Sequence, residues 1–278
     1  MHRYSQHMAT AAITGITGLA GGHVAQALRN AGHEVVGISR SVATDRAGRP
    51  VRIVPDLADA DALATALEGC DIVFHFADRA DRKSYQEHDV GAAAAALTAI
   101  RSAAARNGIR RIVAASSVYA DRADRPDDLY RRSKLAMEAV GTAATPGSPA
   151  LVLRLPPLHG PGARGTVRHI ARAVEKGWPL PFAWATAPRR FLSLDALADL
   201  CIHLTTIEDA VFDRAAGRIC VPVDVRQGSL AALSRTLGKA RLIPVPAIDR
   251  LLGGQVTADQ LEQDRRTLAD ATGWQARG

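Results

Sequence analysis

Hydrophobic positions along the chain come as short apolar runs separated by stretches with helical spacing. Ala11-Ala12-Ile13-Thr14 is one such run, and Gly15-Ile16-Thr17-Gly18-Leu19-Ala20-Gly21 follows at once. Val24, Leu28 and Ala31 then recur every three or four positions until Gly32. This order predicts a strand, a turn and a helix, with Gly32 as the helix stop. Further strands are expected at 34–38, 51–54, 71–76, 111–116 and 151–154. Between them the spacing predicts a short helix over 60–67, an alanine-rich helix over 85–107 closed by Gly108, and a helix over 129–143. Strands alternating with helices at this rhythm imply right-handed βαβ units and a parallel sheet over residues 9–155.

Beyond that point prolines and glycines break the rhythm, at Pro156-Pro157, Gly160-Pro161-Gly162, Pro179, Pro181 and Pro188. Helices are expected at 167–176, 195–205, 229–237 and 259–272. Residues 156–278 therefore read as a smaller and less regular C-terminal region. The polar stretch Met1–Met8 precedes the first strand and is expected to be loose.

Composition narrows the class. A chain of 278 residues with 47% hydrophobic and 23% charged residues can bury a sizeable core. No apolar stretch reaches membrane-spanning length and no signal-peptide pattern opens the chain, which predicts an unexported, cytoplasmic protein without a membrane partner. Cys70, Cys201 and Cys220 form no close pair, which excludes a disulfide framework and a CxxC metal site. The net charge of +7 allows a polyanionic partner. However, Lys83, Lys134, Lys176 and Lys239 are the only lysines, and the arginines stand singly or in pairs with acids between them. A small anionic ligand is the expectation, not nucleic acid.

The glycine spacing indicates which anion. Gly15, Gly18 and Gly21 lie between a predicted strand and a predicted helix. There they allow a tight turn, approach of a dinucleotide pyrophosphate to the backbone, and close helix–strand packing. This predicts a Rossmann-type doubly wound parallel sheet, with residues 9–155 as the dinucleotide-binding domain. The second strand ends Ile38-Ser39-Arg40-Ser41, with arginine where an NAD-binding chain carries an acid. Arg40 and a serine hydroxyl suit a 2′-phosphate, so NAD(P) is expected with NADP preferred.

These residues resemble the extended short-chain dehydrogenase/reductase family, the NAD-dependent epimerase/dehydratase group. Thr14–Gly21 is similar to its TGxxGxxG turn, and Pro55-Asp56-Leu57 to the segment whose aspartate contacts adenine. His75-Phe76-Ala77-Asp78 stands where the family has HxAA, Ala115-Ser116-Ser117 resembles its serine motif, and Tyr130-Arg131-Arg132-Ser133-Lys134 its YxxSK. Leu153 to Gly165 resembles LRPPxVYGPGxxG, and Arg189-Arg190-Phe191 also matches. The later motifs are similar to the branch acting on nucleotide-activated sugars, as 4-epimerases or 4-ketoreductases. The resemblance implies catalysis by Ser117, Tyr130 and Lys134. Around the cofactor it implies Gly15, Thr17, Gly18, Leu19, Ala20 and Gly21 at the turn. It adds Ser39, Arg40, Asp56 and Leu57 for the adenosine, then Phe76, Ala77, Tyr130, Lys134 and Pro157. For the nucleotide sugar it implies Ser117, Thr166 and Arg189, with Arg190 as the competing arginine. It also implies a homodimer, because relatives use the long helix that carries Ala92–Ala96 here.

The chemistry is consistent within this set. Tyr130 and Lys134 are four positions apart on a predicted helix and share a face. A phenol is a poor base at neutral pH, and a neighbouring ammonium favours its phenolate. Ser117 would orient the substrate's alcohol or ketone, with Ser116 supporting the turn. His159 has no second histidine or carboxylate at ligand spacing, so no metal is expected. Several residues depart from the family pattern: Asp78 stands where relatives have a small residue, Asp89 where many have asparagine, and Ser193 where histidine or tyrosine is common. Two other classes stay open: a non-sugar carbonyl reductase on the same fold, and a non-catalytic NAD(P)-binding regulator.

Overall fold

The computed structural model describes residues 8–41, 43–79, 84–144, 149–224 and 228–276. Lys83 and the predicted lead-in at Met1–His7 lie outside the described residues. The chain divides into two compact units. The first comprises the residues up to Arg154 together with Ala198–Cys220; the second comprises Leu155–Leu197 and Val221–Gly278.

The first unit is built on a parallel sheet. Its strands are β1 (Thr10–Thr14), β2 (Glu34–Ser39), β3 (Arg52–Ile53), β4 (Ile72–His75), β5 (Arg111–Ser117), β6 (Ala150–Leu155) and β9 (Ile219–Cys220). Their order across the sheet is β3-β2-β1-β4-β5-β6-β9. The chain thus runs outward from β1 in one direction, then returns to β4 on its other side. β1 pairs in parallel with both β2 and β4, with Ile13 opposite Gly37 on one side and Phe74 on the other. That reversal puts a crevice at the carboxyl ends of β1 and β4, where open α/β sheets bind ligands.

The helices are α1 (Leu19–Asn30), α2 (Ala60–Ala66), α3 (Ala92–Arg106) and α4 (Leu129–Thr142), followed by α6 (Leu194–Thr206) and α7 (Asp209–Ala215). Alternate strand residues Ala12, Val73, Ile112 and Val152 are buried against Leu63, Leu97, Ile100 and Met137 of the helices. Small residues set the spacing: a Cβ on Gly141 of α4 would lie 2.6 Å from Val152 Cγ2. Arg101 on α3 is buried, and its guanidinium donates to the Val140 and Ala143 carbonyls, so it caps the C-terminus of α4.

The second unit contains a two-stranded parallel pair, β7 (Leu158–His159) with β8 (Leu192–Ser193). It also contains α5 (Gly165–Glu175), α8 (Leu230–Thr236), α9 (Ile248–Leu252) and α10 (Ala258–Thr272). Its core gathers Val167, Ile170, Phe182, Phe191 and Leu233.

One expectation needs correction, and two strand pairs were not anticipated. The alanine-rich helix begins at Ala92, not Tyr85, because Gln86 and Asp89 close a reciprocal cap around a one-turn 3₁₀ segment, Glu87–Asp89. The Gln86 N–H donates to the Asp89 carboxylate at 2.9 Å, which stops helical continuity before Gly91. Tyr85 is thereby released from the helix. The pairs β6–β9 and β7–β8 escaped the hydrophobic pattern because two-residue strands carry no periodicity.

Candidate active site

The turn after β1 shows why its glycines are needed. Gly15 sits at φ +72°, and a Cβ there would lie 2.7 Å from the Ala77 backbone nitrogen. The Gly18 N–H donates to the Gly15 carbonyl at 2.9 Å and closes the turn. A Cβ on Gly21 would meet the Gly15 carbonyl oxygen at 2.4 Å, so only glycine lets α1 start this close to the turn. α1 carries no acidic residue in its first turn and no side-chain cap. Its first N–H groups and the positive end of its dipole form a cradle for an anionic group. A dinucleotide pyrophosphate fits this cradle, with Thr17, Gly18, Leu19 and Ala20 lining it.

Below the cradle, Thr14 Oγ1 and His75 Nδ1 stand 2.7 Å apart and fully enclosed. Burial drives the His75 imidazole down to about 4; the Lys134 charge adds to this, and Asp78 opposes it. The ring is therefore neutral, and it ties the end of β4 to the end of β1. Thr14 Oγ1 also accepts from the Ala77 N–H at 3.4 Å. Phe76 stacks on Phe74 with ring centroids 6.2 Å apart.

At the adenosine side, Ser39 is half-buried at the end of β2, and Arg40 follows it exposed. Asp56 is exposed and accepts from the Ala58 N–H at 2.9 Å, while Leu57 is half-buried. One arginine escaped sequence reasoning: Arg46 Nε donates to the Thr17 carbonyl at 3.3 Å. Its stem lies against Gly22, where an added Cβ would come 3.0 Å from Arg46 Cδ. The Arg46 side chain thus stands beside the glycine turn.

Tyr130 and Lys134 both belong to α4, which Asp128 starts by accepting from the Arg131 N–H at 2.9 Å. Lys134 Nζ lies 5.6 Å from the centre of the Tyr130 ring. The ammonium is buried, donates to the Ala115 carbonyl at 3.2 Å, and pairs with Asp78 Oδ2 at 2.5 Å. Ser117 ends β5 and accepts from the Tyr119 N–H at 3.2 Å. The catalytic trio expected from the sequence therefore comes from the end of β5 and one face of α4, within the first unit.

The structure adds partners that the motifs do not show. Tyr85 and Tyr119 both meet the Tyr130 ring edge-on, at centroid distances of 5.2 and 6.0 Å. The Tyr85 hydroxyl donates to Asp78 Oδ1. Burial raises the Tyr85 phenol, and the adjacent Asp78 charge raises it further. Burial alone would raise the Asp78 carboxyl, but the Lys134 charge and hydrogen bonds from Lys134, Tyr85 and the Arg79 N–H outweigh it, so Asp78 titrates below the usual range. A signal was available: tyrosine is scarce here, and three of the chain's four tyrosines meet at this point. Behind Ser117, the Ser116 hydroxyl donates to Glu138 Oε1 at 2.5 Å. Arg154 grips the same carboxylate through Nε at 2.8 Å and Nη2 at 2.6 Å.

Three expected residues fall in the second unit: Pro157, expected at the cofactor, and Thr166 and Arg189, expected at the nucleotide sugar. Pro157 and Thr166 are exposed there. Arg189 is buried, donates to the Gly253 carbonyl and pairs with Asp249 at 3.4 Å. Arg190 pairs with Asp264 at 2.7 Å. Among the described residues no group of three or more His, Cys, Asp or Glu side chains is placed to hold a metal ion. None of their helices is long and apolar enough to cross a membrane.

The sequence model for the NAD dependent epimerase/dehydratase family matches residues 11–242, which span both the glycine turn and the α4 face. The chain belongs to this family. No curated protein sequence matches the chain. Solved structures with the same fold include the UDP-N-acetylglucosamine 4-epimerase from Bacillus cereus, at 19% identity and a TM-score of 0.72, covering 97% of this chain and 92% of that one. WbmG from Bordetella bronchiseptica, solved with NAD and UDP, aligns at 19% identity and a TM-score of 0.67 over 98% and 91% of the two chains. The NDP-hexosamine 5,6-dehydratase TunA aligns at 19% identity and a TM-score of 0.65 over 97% and 93%. At these identities the likeness to solved structures is one of fold. The residues matched by the family model include the glycine cradle and the α4 face.

Proposed function

We propose that this protein is an NAD(P)-dependent oxidoreductase acting at C4 of a nucleotide sugar, as a 4-ketoreductase or a 4-epimerase. The observation carrying this reading is the Lys134 ammonium 5.6 Å from the Tyr130 ring and on the Ala115 carbonyl of β5, the strand that ends at Ser117, in a sheet whose first turn is a glycine cradle. In this reading the bound nicotinamide supplies the hydride acceptor and donor. Tyr130 takes the proton of the sugar hydroxyl as its phenolate in oxidation and returns it as its phenol in reduction. The Lys134 ammonium, 5.6 Å from the centre of the Tyr130 ring, is the positive charge beside that phenol. Ser117 orients the reacting oxygen through its hydroxyl. Thr166 and Arg189 are the groups assigned to the nucleotide sugar, Arg189 as a guanidinium partner for its diphosphate.

Arg40 at the end of β2 and Arg46 beside the turn favour a 2′-phosphate, hence NADP and net reduction over epimerisation. The fold neighbours support the substrate class, since WbmG is solved with NAD and UDP, and MoeE5 with UDP-glucose and NAD.

The test supplies purified protein with NADPH or NADH and a panel of UDP- and dTDP-4-keto sugars. Cofactor consumption marks a reductase, whereas C4 inversion without net consumption marks an epimerase. Tyr130→Phe is expected to lower the rate at least about 100-fold, the usual size of a lost acid–base group. Undiminished activity in that variant refutes the assignment.

A further inference from the structure

The Lys134 ammonium is a buried charge with two protein partners, the Ala115 carbonyl at 3.2 Å and the Asp78 carboxylate at 2.5 Å. Its side chain is 4% exposed and that of Asp78 23%. A buried ammonium is expensive unless paired, and Asp78 is the acid that pairs it. Asp78 is itself held in place. Its Oδ1 accepts from the Tyr85 hydroxyl, and from the Arg79 N–H at 2.7 Å. Tyr85 in turn packs edge-on against Tyr130 at 5.2 Å. One carboxylate thus fixes the lysine and, through Tyr85, one wall around the tyrosine.

We propose that Asp78 is a positioning residue for Tyr130: by pairing with Lys134 it anchors the ammonium between the ends of β4 and β5 and moderates the charge presented to the phenol. This rests on the reading of Tyr130 as the proton-transfer group. The charged and titratable groups around the pair come from every element packed there. Lys134 comes from α4, Tyr119 from the turn after β5, and Asp78 and Tyr85 from the segment after β4. Farther out, His75 in β4 faces Lys134 and Asp78, and Asp89 faces Tyr85. His75 is neutral at working pH, so Asp78 is the acid that decides how much of the Lys134 charge stays uncompensated.

The experiment titrates tyrosine directly. The chain has four tyrosines, so protein labelled with ¹³Cζ-tyrosine gives four resonances, assignable with Tyr→Phe variants. Asp78→Asn and Asp78→Ala leave the ammonium uncompensated, and the Tyr130 midpoint is expected to fall by about one pH unit, a tenfold change in ionisation. Tyr85→Phe keeps both charges and is expected to leave that midpoint in place, whereas general loosening of the site would move it as well. A folded Asp78 variant with an unshifted Tyr130 midpoint overturns the proposal. The unaltered protein supplies an independent measurement. An anchored Lys134 ammonium exchanges its protons slowly and gives a distinct ¹⁵Nζ–H peak at neutral pH, and absence of that peak also overturns the proposal. Neither measurement needs a substrate. Lack of turnover on every nucleotide sugar would defeat the functional reading and leave these titrations standing; an active enzyme with an unmoved midpoint would defeat the role of Asp78 alone.

Discussion

Acidification should weaken this protein through one buried histidine well before its carboxylates protonate. His75 is 2% exposed, shares a 2.7 Å hydrogen bond with Thr14, and is pushed by burial down to about 4. In the unfolded chain an imidazole titrates near about 6.5. Between those values the unfolded state binds a proton that the folded state refuses. Stability is therefore fully present above pH about 6.5 and is lost as pH falls towards about 4. Linkage over that interval gives a loss of about 2 kcal/mol between pH 7 and pH 5, growing to about 3 kcal/mol near pH 4. His33 is also lowered by burial and acts in the same direction. At pH 5 unfolded carboxylates are still largely ionised, so their contribution to this interval is small. The assay is urea unfolding followed by circular dichroism at pH 7, 6 and 5, for the parent and for His75→Gln. The variant loses stability at pH 7, because the Thr14 hydrogen bond is altered, but its decline from pH 7 to pH 5 should be shallower by about 2 kcal/mol. Parallel declines in the two proteins would mean that His75 is not the group holding the pH dependence.

Two further substitutions test the parts around the site. Gly21→Ala places a Cβ 2.4 Å from the Gly15 carbonyl oxygen, so the turn must open; NAD and NADP binding by calorimetry should weaken at least about tenfold, with about 1–3 kcal/mol of destabilisation. Unchanged affinity would mean that the cradle does not carry the dinucleotide. Glu138→Ala removes the acceptor of Ser116 and the partner of the half-buried Arg154, and should cost about 3 kcal/mol or more in chemical denaturation, whereas a loss below about 1 kcal/mol would show that Arg154 is satisfied by Asp121 alone.

Much of the first unit is legible in the chain because its signals are local. The strands at Ala11–Thr14 and Ile72–His75 are continuous apolar runs of a sheet buried on both faces, and the glycines at 15, 18 and 21 mark the turn whatever surrounds it. Tyr130 and Lys134 are related by one turn of one helix, so their common face follows from spacing. The +7 charge was harder to read. Many arginines turn out to be tied to carboxylates distant in sequence, such as Arg111 with Asp209 and Arg106 with Asp61. Charge counting cannot show such pairs.

Local spacing was enough to read the alternating architecture and the glycine turn after β1, and to put Tyr130 and Lys134 on one helix face, whereas Ser117 came from the family resemblance. What those groups touch depends on how distant segments pack. That packing brought Asp78 and Tyr85 against Lys134 and Tyr130, set Arg46 beside the turn, and closed Glu138 onto Ser116 and Arg154. It also placed Arg189 on Asp249, sixty residues away. Those contacts join segments remote along the chain, and only sheet order and helix packing bring them within hydrogen-bonding distance.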